Sequence, residues 1–122
     1  MLSKTIGVSV AAFLLLIAVD AVWLFFVGPT ALSMTAAIQG SPVAFRILPA
    51  LVVYVALTYL VQLPTSSAQA FLMGASVYAV YDFTNLALLT KYSPLMAVAD
   101  TMWGGVLFAT VHTILQRIRS QI

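Results

Sequence analysis

Apolar residues in this chain come in long unbroken runs. They show neither the three-and-four spacing of a surface helix nor the alternation of a half-buried strand. Four runs stand out, at 5–27, 43–63, 67–90 and 93–116. Each is close to the ~20 residues that carry a helix across the hydrocarbon core of a bilayer. The breaks between them are chemically distinct. Gly28-Pro29 reads as a helix stop after the first run, and Ser41-Pro42 and Pro64 bound the second. A Thr65-Ser66-Ser67 cluster suits an N-cap for the third. Lys91-Tyr92 leaves a very short turn, after which Ser93 and Pro94 are placed as N-cap and first helical residue of the fourth. Residues 30–40 are too short and too mildly apolar to cross. They read as a connecting loop or an interfacial helix with Leu32, Met34 and Ile38 toward lipid. Pro49, near the start of the second run, is expected to free the carbonyl of Phe45.

Composition sharpens this picture. Of 122 residues 63% are hydrophobic and 7% charged, with a mean hydropathy of +1.11, whereas a soluble domain carries about a quarter of its residues as charges. Too few charges remain for a water-facing surface, and continuous runs exclude a β-barrel. The expected fold is all-α: one polytopic transmembrane domain, a four-helix bundle with both termini on the same side. Five basic residues are too few for a nucleic-acid surface. The absence of cysteine removes disulfide and thiolate chemistry. The first run is too long for a signal-peptide core and lacks an A-x-A site, so it is read as a retained span.

Alternation of spans puts Lys4, Arg117 and Arg119 on one face and Arg46 and Lys91 on the other. That bias of three to two favours cytoplasmic termini. The expected setting is a multi-pass position in a bacterial-type inner (plasma) membrane, or in an organellar inner membrane.

The acidic residues carry the most information. The chain has three, Asp20, Asp82 and Asp100, and each falls inside an apolar run. Counting back from the span ends at 1.5 Å per residue puts all three roughly 10 to 14 Å below the face away from the termini. An acid in hydrocarbon costs roughly 2.5–3.5 kcal/mol on insertion scales and normally faces protein with a partner. Three at one depth on three helices predict a shared polar layer. Arg46, the one basic residue inside a run, snorkels either toward that layer or to the headgroups. One guanidinium cannot neutralise three carboxylates, so part of the set is expected to hold protons.

Neighbours at helical spacing dress the acids: Trp23 three after Asp20, Asn85 three after Asp82, Trp103 three after Asp100, and Tyr78 four before Asp82. Indole N–H groups and the Asn85 amide are available as donors. Gly74, Ala75, Ala79, Gly104 and Gly105 allow close backbone approach. Tyr54, Tyr59 and Tyr92 read as interface or packing aromatics, Arg117 and Arg119 as topological anchors. His112 reads as structural, with a proton relay as its functional alternative. No metal-ligand spacing, nucleotide loop, nucleophile elbow or cofactor motif is present, so no cofactor is expected and enzymatic activity is disfavoured.

The segments V-D-A-V-W-L (19–24), Y-A-V-Y-D-F-T-N-L-A (78–87) and A-D-T-M-W-G (99–104) resemble an uncharacterised family of small, mostly bacterial four-helix membrane proteins, a domain of unknown function. Its signatures read L-D-x-x-W-L, Y-x-x-Y-D-L-T-N-L-A and D-x-x-W-G. The likeness spans essentially the whole chain, with Phe83 in place of the usual leucine and Arg46 and Pro49 as departures in the second run. It carries over Asp20, Trp23, Tyr81, Asp82, Thr84, Asn85, Asp100, Trp103 and Gly104, and implies a fold but no activity.

Two functions fit. One is a small transporter, channel or binding protein whose polar layer holds a proton, cation or small polar ligand, most naturally as a homo-oligomer in the lipid bilayer. The other is an accessory or structural subunit of a larger membrane complex, in which the acids form a satisfied hydrogen-bond cluster that pins the helices.

Overall fold

The computed structural model describes residues 2–122. It is all-helical: α1 (Leu2–Gln39), α2 (Ile47–Val61), α3 (Ser67–Leu88) and α4 (Pro94–Gln121). The helices alternate in direction. Ser9 on α1 meets Gln62 beyond the end of α2, and Ser67 at the start of α3 meets Thr113 late in α4. Both chain ends therefore lie at one end of the molecule.

The N-terminal caps of α3 and α4 follow the sequence signals. Ser66 Oγ accepts from the Gln69 amide at 3.1 Å, while Gln69 Oε1 reaches back to the Thr65 amide, a variant of the capping box. Ser93 Oγ accepts from the Met96 amide at 3.1 Å, with Pro94 at the first helical position.

Gly28-Pro29 does not stop the first helix. α1 runs through both residues to Gln39, so residues 30–39 continue it and form neither a loop nor a separate interfacial helix. Proline disfavours helix in the preceding residue by clashing with its Cβ, and here that residue is glycine. Leaving the helix in an apolar stretch would also strand more backbone groups than the single Phe25 carbonyl that Pro29 frees. The real stop is Gly40, at φ +75°. Its amide returns to the Ala36 carbonyl at 2.9 Å, an αL cap.

The second helix is shorter than the apolar run that contains it. It begins at Ile47, after Arg46 as N-cap, so Pro49 sits in the first turn, where no amide has an intrahelical partner to lose. Phe45 lies outside the helix, and its carbonyl is not freed by Pro49. At 15 residues α2 is about 22 Å long, less than the ~30 Å hydrocarbon core. Helices α1 and α4 are long and apolar enough to cross, with mean hydropathies of 2.7 and 1.3.

α3 and α4 pack most closely. α1 lies against α4 and α2, and α2 only grazes α3 and α4. A Cβ built on Gly74 would stand 2.1 Å from the Gly104 carbonyl oxygen, and one on Gly104 would stand 2.4 Å from Tyr78 Cγ. Only glycine admits this backbone contact. The apolar core gathers Val8, Ala12 and Leu16 of α1, Leu57 and Val61 of α2, Ala70 of α3, and Leu107, Phe108, Val111 and Leu115 of α4. It occupies the half nearer the chain ends. Just beyond it, level with Tyr54 in the middle of α2, the acids begin.

Candidate functional site

Asp20 stands one turn beyond Leu16 on α1, buried at the upper edge of the core. Both its oxygens are committed. Oδ1 accepts from the Trp103 indole at 2.8 Å, and Oδ2 accepts from the Tyr54 hydroxyl. Asp100 on α4 accepts from the Trp23 indole at 3.1 Å. Each tryptophan thus donates to the acid of the other helix, and the two rings stack at 5.2 Å, 5° from parallel. Two D-x-x-W segments on antiparallel helices produce this crossing. Running opposite ways, each places its tryptophan at the level of its partner's aspartate.

Asp82 on α3 is fully buried. Its Oδ1 accepts from the Tyr92 hydroxyl at 2.6 Å, folded back from the α3–α4 turn. Burial and then the Asp82 carboxyl push the Tyr92 phenol above its ordinary value, so it stays a donor. Asp82 Oδ2 is buried and accepts no hydrogen bond. The Asp100 carboxyl lies within reach of Asp82. A direct bond between two carboxyl groups forms only when one of them carries a proton.

All three acids line one cavity of about 210 Å³ between α1 and α3, together with Trp23, Tyr78, Tyr81 and Met96. Asn85 faces the hydroxyls of Tyr81 and Tyr92. Among the described residues no three of His, Cys, Asp and Glu are placed to hold a metal ion, so the carboxyls share a cavity without forming a chelate.

Two residues singled out from the sequence stay outside. Thr84 lines a separate groove with Val80 and Leu88, on the side of α3 away from the acids. Arg46 is exposed at the start of α2, and the donors to the acids are two indoles and two phenols. Its place as the extended N-cap of the helix, after non-helical residues, leaves the guanidinium at the surface. His112 is buried on α4 with Nδ1 unpartnered, among the core residues Val111 and Leu115.

Two tyrosines read as packing groups are donors to the acids. Tyr54 could have been found by the depth count that grouped the carboxylates, since it lies eleven residues into its run. Tyr92 carried no such signal, because a turn residue reaches inward only once the turn's direction is known.

No curated protein and no solved structure matches the chain. Residues 5–116 match the family model described as Predicted membrane protein (DUF2177). That match takes in all four helices, both tryptophans and all three acids, and the chain belongs to this family of membrane proteins.

Proposed function

We propose that all four helices cross the bilayer, with both termini cytoplasmic, and that the protein holds a proton or small cation at an intramembrane carboxyl site. The observation that carries this is Asp82 Oδ2: a fully buried acceptor with no donor, on the wall of a cavity that Asp100 also lines. A buried acceptor left open costs roughly 1–3 kcal/mol, and a proton shared by the two carboxyls, or a cation held against the pair, removes that cost. Asp20 differs, because its two oxygens are already satisfied by Trp103 and Tyr54. It serves as the fixed post of the site, and Asp82 and Asp100 as its working pair.

Multi-pass insertion draws on the many large apolar side chains turned outward, among them Val10, Leu14, Phe25, Val52, Leu72, Val80 and Leu95. The non-helical residues 43–46 lengthen the short α2 segment.

The test is infrared difference spectroscopy across a pH step, on protein reconstituted in phosphatidylcholine vesicles. The expected spectrum has a carboxylic-acid carbonyl band that disappears in both Asp82→Asn and Asp100→Asn. A spectrum unchanged by either substitution, in folded protein, overturns the reading.

A further inference from the structure

A second cavity, of about 350 Å³, lies between α2 and α3, lined by Val53, Leu57, Val77, Tyr78, Tyr81 and Asp100. It shares Tyr78, Tyr81 and Asp100 with the carboxyl cavity, so the two meet at one acid. Its walls are otherwise apolar. Because α2 leans on α1 and scarcely on α3, the cleft opens sideways, with Val53 and Tyr81 exposed at its mouth (53% and 62%). In a bilayer that mouth faces lipid.

Each end of this space selects a chemistry. At the inner end stand the open Asp82 Oδ2 and the Asp100 carboxyl, with the Tyr78 ring beside them. The chain supplies these acids with neutral donors only. An ammonium brings positive charge together with several N–H donors, and tyrosine faces favour it further. A phosphate-bearing headgroup is disfavoured by the same carboxyls. The outer end, with Val53, Leu57 and Val77, suits a hydrocarbon body.

We propose that the two cavities are one site for a lipophilic amine, whose ammonium is held against the Asp82–Asp100 carboxyl pair and whose apolar body lies in the α2–α3 cleft, entered laterally from the bilayer. This rests on the carboxyl reading above and adds the ligand class and the route.

The chain has two tryptophans, one lining the cavity and the other stacked on it, so their fluorescence reports the site directly. The probe is 3-bromo-5-octylbenzylamine, whose bromine stays close to the ammonium, added to the full chain in phosphatidylcholine nanodiscs, with 3-bromo-5-octylbenzyl alcohol as the neutral comparison. The amine is expected to quench saturably and the alcohol only in proportion to its partitioning. Asp100→Asn, which keeps an acceptor for Trp23, and Val53→Phe, at an exposed position away from the core, should each weaken apparent amine binding about tenfold or more. Methylammonium, read by the carbonyl band, should depend on Asp100 and ignore Val53→Phe.

Quenching by the amine no stronger than by the alcohol overturns the proposal, as does quenching indifferent to both substitutions. If methylammonium still perturbs the carbonyl band in those cases, the carboxyl reading stands alone. If no cation perturbs it, both fall.

Discussion

The crossed tryptophans make a double-mutant cycle decisive. Trp23→Phe removes the indole donor of Asp100, and Trp103→Phe removes one of the two donors of Asp20, which keeps Tyr54. Hydrogen bonds between membrane helices contribute about 0.6–2 kcal/mol, so each single substitution is expected to destabilise by about that much. The two bonds share no atom and would be additive if independent. They are joined by the ring stack at 5.2 Å, however, and aromatic pairs contribute about 0.5–1.5 kcal/mol beyond area. Losing one indole loosens the ring that aims the other, so the double variant should cost less than the sum by about that coupling. The measurement is unfolding in mixed micelles, followed by energy transfer between labels on cysteines introduced at Ser3 and Ser120. The chain has no cysteine of its own, and both positions are exposed at the same end. Additivity within experimental error would refute the coupled clasp, and two neutral single substitutions would refute the hydrogen bonds themselves.

The same unfolding assay checks two further expectations, and hydrogen exchange checks a third. Gly74→Ala should destabilise by about 1–3 kcal/mol or more, since the new Cβ meets the Gly104 carbonyl oxygen and Phe108. Gly7→Ala, with nothing within 4 Å, should be neutral or stabilising by up to about 1 kcal/mol; equal effects would mean that the α3–α4 contact is not tight. Asp82→Asn keeps an acceptor for Tyr92 and replaces the open Oδ2 with a donor facing Asp100, so stability should hold or rise. Asp82→Leu strands the Tyr92 hydroxyl and should cost about 1–3 kcal/mol; the reverse order would sink the proposed open acceptor. Pro29→Ala restores an amide to an unbroken helix, and hydrogen exchange at the neighbouring amides of residues 30–33 should slow. Unchanged exchange would mean that Pro29 does not weaken α1.

Local signals in the sequence were legible wherever one residue type decides the backbone or the burial. Ser93-Pro94 and Ser66 set helix starts because capping is a contact within four residues. The depth of Asp20, Asp82 and Asp100 could be counted because the rise of a helix is fixed, and the structure gathers all three around one cavity. Gly28-Pro29 misled because the usual stop assumes water beyond the helix end, and a glycine before the proline removes the clash that would enforce it. Arg46 misled because its position in an apolar run suggested a helix interior, whereas the chain becomes helical only after it.

The crossing of the two D-x-x-W segments was not legible, since it depends on which helices are antiparallel neighbours. Yet it explains why the acids divide into two kinds. An antiparallel pair bearing the same motif crosses its bonds: each aspartate takes the other's indole, Tyr54 completes Asp20, and Asp100 is left with the Trp23 indole alone. Asp82, on a helix that does not pack directly against α1, has no such counterpart. Its one donor comes from a turn, and its second oxygen is left for Asp100 or for whatever the cavity admits. Removing the Tyr92 hydroxyl therefore discriminates sharply. In Tyr92→Phe both Asp82 oxygens are open, so if the cavity binds a cation the protein should lose stability in its absence and regain part of it when methylammonium is added, by ligand linkage. A variant whose stability methylammonium leaves unmoved would show that Asp82 is a packing group, and the carboxyl site would have to be given up.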